Sequence, residues 1–157
     1  MSLRAGLAVV LLLVGTANAD GTRKKKIAQA PVVKVSCEVM EISASTGKEA
    51  SMDAAIKKLE KKIAAQPWSY NQYKLLSQTT KSLEKGKAES LDLKQGSGTA
   101  KLVETVDKSK VRLTVTEEHG GKKLIDNTTT IAAGDWLVYG HPVPPSKDGH
   151  LVAISCK

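Results

Sequence analysis

Two histidines, His141 and His150, flank a proline-rich stretch running from Pro142 to Gly149. Imidazole nitrogens ligate zinc and copper, and two residues at the mouth of a β-hairpin come near enough to share one ion. Asp148, inside the same stretch, offers a carboxylate as a third ligand. Three donors leave a tetrahedral ion one short, and a solvated hairpin mouth carries the same residue types. His141, Asp148 and His150 are thus the metal candidates, set against a polar turn with no cofactor. His119 sits beside Gly120 and Gly121, where a turn is expected to leave it exposed.

Catalytic signatures are weak. Ser97 lies between Gly96 and Gly98 but lacks the strand–turn–helix elbow that presents a nucleophilic serine, and reads as a tight turn. Glu117 and Glu118 are adjacent, so on a strand their side chains point to opposite faces and cannot act as a pair. Asp126 and Asp135 fall at strand ends or turns, where Asp is favoured for backbone reasons. No phosphate-cradling glycine loop is present. The expectation is a protein that is not an enzyme.

Charge is the more functional-looking property. The chain carries a formal net charge of +8. Two basic clusters contribute: Arg23, Lys24, Lys25 and Lys26 near the N-terminus, and Lys57, Lys58, Lys61 and Lys62 on one face of an expected helix. Such a balance attracts anionic partners, lipopolysaccharide or an acidic glycan among them. Nucleic acid is not expected, because no aromatic stacking residues are interleaved with the lysines. The competing account is a solvated lysine face and a mobile arm. Trp68, Tyr70 and Tyr73 form the one aromatic cluster, read as core packing or as a glycan or peptide platform.

The N-terminus explains the compartment. Met1 to Arg4 is a short basic lead, Ala5 to Val14 is apolar over the length of a signal h-region, and Ala17-Asn18-Ala19 has the small-x-small pattern of a cleavage site. Cleavage after Ala19 is expected, giving an exported periplasmic or extracellular protein with no transmembrane span in the mature chain. Residues 20–31 read as a flexible basic arm and 32–157 as a single domain. In an exported chain an even cysteine count reads as a disulfide, here Cys37 to Cys156. Two free buried thiols are the alternative.

The elements that must position these residues are mostly strands. Val33, Val35, Cys37 and Val39 alternate with polar residues, and the apolar phase then passes to Met40, Ile42 and Ala44, which suggests a β-bulge. From Ser51 to Ala65, Met52, Ala55, Ile56, Leu59 and Ile63 draw a helical stripe, with Ser51 as N-cap and Pro67 after its end. About seven short strands follow: Tyr70 to Leu83, with a break near Thr79; Ala88 to Leu93; Thr99 to Val106; Lys110 to Thr116; Lys122 to Ile131; Trp136 to Tyr139; and Leu151 to Cys156. Turns every eight to twelve residues argue for an antiparallel meander. The expected class is α+β: one amphipathic helix on an antiparallel sheet or flattened sandwich of about seven to eight strands, with Gly134 to Gly140 as an inner strand.

Asn127 to Ile131 followed by Gly134-Asp-Trp-Leu-Val-Tyr-Gly140 resembles a hairpin of bacterial secretins, and the helix, the Tyr73-Lys-Leu-Leu76 strand and the meander resemble small secreted proteins of proteobacteria. The resemblance implies an envelope-associated, non-enzymatic domain and no particular functional residue. The sequence reading is therefore an exported, non-catalytic binding or accessory domain. Its partner is an unidentified protein or an anionic envelope polymer, and the alternative is a metal or enzyme site at the C-terminal hairpin.

Overall fold

Four strand segments share one habit: apolar residues at every second position end on a polar one. Cys37 and Val39 lead to Glu41, Val111, Leu113 and Val115 to Glu117, and Leu137 and Tyr139 to His141. In the last strand Cys156, Ile154 and Val152 lead backwards to His150. A strand sends alternate side chains to opposite faces, so each series lies on one face. The computed structural model describes Pro31–Lys157 and makes that shared face the interior of a sandwich. The expected signal segment and the cluster Arg23, Lys24, Lys25 and Lys26 lie outside the described residues.

Strands β1 (Lys34–Ser45), β2 (Ser51–Met52), β3 (Gln72–Glu84), β8 (Leu137–Pro142) and β9 (Gly149–Cys156) form a five-stranded sheet in the order β2-β3-β1-β9-β8. Strands β4 (Ala88–Ser90), β5 (Ser97–Asp107), β6 (Lys110–His119) and β7 (Lys122–Ala132) form a four-stranded meander in sequence order. All pairings are antiparallel except β2 with β3. Between the sheets, Cys37, Val39, Val152 and Ile154 pack with Ala100, Leu102, Val111, Leu113 and Val115. The other face of the larger sheet buries Met40, Ile42, Ala44, Leu151 and Ala153 against Ile56, Leu59 and Ile63 of the helical segment. The α+β class and the antiparallel sheets match expectation; the strands number nine among the described residues.

Having a buried layer on each side explains the phase change in β1. Cys37, Val39 and Glu41 face the sandwich, while Met40, Ile42 and Ala44 face the helix, so β1 alternates without interruption. The bulge lies instead in β3, where Glu41 pairs with Ser77 and Ile42 with Leu75, leaving Leu76 over. β3 runs unbroken through Thr79 and Thr80.

The helix is shorter than its stripe. Ser51 is no N-cap: its N–H donates to the Asn71 carbonyl at 2.9 Å, and Ser51 and Met52 pair with β3. The Asp53 carboxylate accepts the Leu75 N–H at 2.8 Å. With this stretch fixed to the sheet edge, winding starts as a 3₁₀ turn at Ala54–Leu59 and becomes helix α1 only at Glu60–Ala64. Ala55 is left exposed by the tighter pitch.

At the C-terminal end, β9 is the inner strand and every residue in it is buried, while β8 is a sheet edge, which corrects the placement of Gly134 to Gly140. Gly134 and Asp135 belong to the turn before β8. The chain crosses from the four-stranded to the five-stranded sheet between β7 and β8, so the two halves of the secretin-like stretch lie in different sheets. Cys37 and Cys156 are register partners and are disulfide-bonded across a sequence separation of 119. In the chain-entropy account, closing a loop that long stabilises by about 4–5 kcal/mol.

Candidate metal centre

At the end of the sandwich opposite the disulfide, the four polar termini of the inward series meet. Glu41 and His150 are 0 % exposed, Glu117 is 1 % exposed and His141 is 9 % exposed. β8 and β9 pair so that His141 stands directly opposite His150. β6, in the facing sheet, brings Glu117 between them. Its Oε1 lies 2.7 Å from His141 Nε2 and 2.5 Å from His150 Nδ1. The two imidazole centroids are 5.3 Å apart.

Each histidine is held from behind. His150 Nε2 donates to Glu41 Oε1 at 2.9 Å, and His141 Nδ1 donates to the Pro142 carbonyl at 3.0 Å. Glu41 is itself fixed: the backbone N–H groups of Lys94 and Gln95 each donate to it at 2.7 Å, and the Ser77 hydroxyl donates at 2.8 Å. Lys94 and Gln95 lie between β4 and β5 and Ser77 lies beside the β3 bulge, so the loop and the bulge both position this carboxylate. Glu117 Oε2 is buried with no hydrogen-bond partner.

The electrostatics follow from this pairing. Burial pushes the Glu117 carboxyl up, but the hydrogen bonds from His141 and His150 outweigh it and hold it below its ordinary value. Burial likewise pushes Glu41 up, and Lys94, His150, Gln95 and Ser77 together hold it down. Burial pushes His150 down, yet its bonds to Glu117 and Glu41 leave it raised. The bond to Glu117 raises His141 against the opposing effect of burial. Both ring nitrogens of each imidazole face acceptors, an arrangement that favours the doubly protonated form in the metal-free protein. In that form two imidazoliums would offset two carboxylates and leave no net charge in the interior.

Glu117, His141 and His150 each present one donor atom, all within 4.8 Å of one another. Donors about 2.0–2.2 Å from a tetrahedral ion stand about 3.4 Å apart, so the two contacts to Glu117 Oε1 need open by less than about 1 Å. Two imidazoles, one carboxylate and an outer acceptor behind each imidazole make up the donor set and supporting shell of a zinc or copper site.

The sequence candidates are distributed unevenly around this centre. His141 and His150 are brought together but are buried rather than set at a solvated hairpin mouth. Asp148 stays exposed in the loop, where its carbonyl accepts the Val143 N–H; the carboxylate at the centre comes from Glu117. His119 is half-buried, not exposed, because it is the next inward step after Glu117. Residue type does not mark Glu41, and it marks Glu117 only as a neighbour of Glu118 that cannot pair with it. The signal that finds them is alternation, since both occupy the next inward position of an apolar series.

The other candidates lie elsewhere. Lys58 pairs with Glu38 at 2.5 Å and sits over the Trp136 ring, and Lys62 pairs with Asp135 at 2.8 Å. Lys57 and Lys61 are exposed and make no ion pair among the described residues. Ser97 is exposed at the start of β5. Trp68 and Tyr70 precede β3 and lie over glycines of the larger sheet: a Cβ on Gly140 would come within 2.7 Å of Trp68, and one on Gly149 within 2.5 Å of Tyr70. Together with Tyr73 they line a groove of about 410 Å³ beside the helix. Among the described residues no helix is long and apolar enough to cross a membrane. Compared with protein-family models, curated proteins and solved structures, the chain finds no match.

Proposed function

We propose that this chain is an exported, non-catalytic binding domain whose ligand is a divalent first-row metal ion, zinc foremost, held by Glu117, His141 and His150. The observation that carries the reading is the orientation of the two imidazoles. Each turns one nitrogen to the same carboxylate oxygen and gives the other to a fixed acceptor, Glu41 or the Pro142 carbonyl. Outer acceptors of this kind set the tautomer of a ligating histidine and raise its basicity.

Charge also supports it. A divalent ion with neutral His141 and His150 and ionised Glu41 and Glu117 sums to zero, as does the metal-free cluster with both imidazoles protonated. Binding therefore exchanges the ion for a proton from each histidine and leaves no uncompensated charge in the interior. Copper(II) accepts the same donors, and its preference for tetragonal geometry makes it the competing ion. The basic helix face supports an anionic partner less directly, because Lys58 and Lys62 are engaged with Glu38 and Asp135.

The test is calorimetric titration of the metal-stripped full chain with zinc and with copper, beside an H141A/H150A variant. Saturation at one ion per wild-type chain, abolished in the variant, is expected. Absence of saturable binding to the wild type would sink the proposal.

A further inference from the structure

Three donors leave a tetrahedral ion one ligand short, and what fills the fourth position decides whether the centre is closed or open to a reacting molecule. We infer that His119 is the fourth ligand, closing the site as a three-histidine, one-carboxylate centre. The inference rests on the proposal that Glu117, His141 and His150 bind the ion, and extends it to the hairpin between β6 and β7.

Position comes first. His119 follows Glu117 on the inward face of β6, whereas Glu118 between them is exposed. Its ring centroid lies 6.1 Å from that of His141. An imidazole bound through nitrogen at about 2.0–2.1 Å has its centroid about 3 Å from zinc, so two such ligands stand about 5 Å apart. His141 and His150 already have that separation; His119 stands outside the group whose donor atoms lie within 4.8 Å of one another, and needs an approach of about 1 Å toward His141.

Unmet hydrogen-bonding capacity comes second. His119 Nδ1 is buried with no partner, and so is Glu117 Oε2, two residues earlier on the same face. Buried polar atoms are normally satisfied, and an unpartnered nitrogen on a ring 6.1 Å from that of His141 is one that an ion could satisfy. Nδ1, the buried nitrogen without a partner, is the one assigned to the ion.

The hairpin allows the movement. His119 pairs with Lys122 across the two-residue turn Gly120-Gly121, both with positive φ (57° and 76°). β7 carries a bulge at Leu124, where Glu117 pairs with Ile125 and Glu118 with Lys123. The turn and the bulge let the tip shift without disturbing Glu117, which is pinned by His141 and His150. A closed centre has no position for a reacting water, which matches a non-catalytic domain.

Cobalt(II) reports the coordination number. In the full chain, tetrahedral cobalt gives strong visible absorption that weakens when a ligand is replaced by water. The experiment compares wild type with H119A and H119Q by cobalt spectra and zinc titration, with thermal unfolding of the metal-free variants as a check on folding. The expected result is a tetrahedral spectrum in wild type, lost in both variants, and zinc affinity reduced by more than the roughly 10–100-fold that removal of an outer partner costs. A wild-type spectrum and affinity unchanged in H119A would overturn the assignment of His119 while leaving the three-donor site standing. Absence of cobalt and zinc binding in the wild type would overturn both.

Discussion

Glu117 Oε1 accepts from two imidazoles at once, so E117Q removes the charge that both face. In the metal-free protein this leaves His150 with one carboxylate partner instead of two, and a loss of about 3–5 kcal/mol is expected in denaturant unfolding, the usual cost of breaking a buried pair. Zinc affinity should fall in the same variant. E41Q is expected to act more gently, because Glu41 bonds to His150 and is not one of the three proposed ligands: one ion should still bind, about 10–100-fold more weakly. Equal zinc affinity in E41Q and wild type would remove Glu41 from its supporting role. The histidines were legible from residue type and from the hairpin between them, but the carboxylates were not. Glu and Asp are mostly exposed, and Glu117 beside Glu118 reads as two carboxylates on opposite faces that cannot act together. The strand pattern says otherwise, since Val111, Leu113 and Val115 commit position 117 to the interior. Asp148 misleads for the complementary reason: it is close in sequence to both histidines but sits in a loop that points outward.

The elements set how stability depends on pH. In the metal-free protein His141 and His150 are raised above the ordinary 6.5, so their contribution is fully present below that value and is lost as pH rises through the raised folded values. Glu41 and Glu117 are lowered from 4.5, so theirs is present above that value and is lost as pH falls through the lowered ones. The strands meeting at this end should therefore hold best between the ordinary carboxylate and imidazole values, and loosen on the alkaline side. Saturating zinc reverses the alkaline trend, because the ion and the protons compete for the same nitrogens. Unfolding measured across a pH series, with chelator and with zinc, checks both signs; metal-free stability that climbs from neutral to alkaline pH would contradict the charge pairing. The strands themselves were legible in outline because alternation survives wherever one face is buried. β1 misled because both of its faces are buried, so its apolar residues change phase without a bulge. The helix misled because its first turn is held to β3 by the bonds of Ser51 and Asp53, which no periodicity records.

Across the whole molecule the interior is graded. The Cys37–Cys156 disulfide closes one end, an aliphatic layer fills the middle, and the carboxylate–histidine cluster closes the other. Reducing the disulfide should cost about 2–5 kcal/mol, read as a lowered unfolding midpoint with reductant, and leave zinc binding in place while the fold persists. Loss of zinc binding from a still-folded reduced protein would tie the two ends together more closely than this gradation allows. The clasp was legible from the even cysteine count; the full cluster was not, because Glu41 and Glu117 come from strands far in sequence from the hairpin that carries His141 and His150. The most direct measurement is zinc titration of the metal-stripped full chain in buffers of different ionisation enthalpy. One ion per chain, bound with release of a proton from each of His141 and His150 and lost in H141A/H150A, is the expected result. Absence of saturable binding, or binding unaltered by that double substitution, would contradict the proposed metal centre.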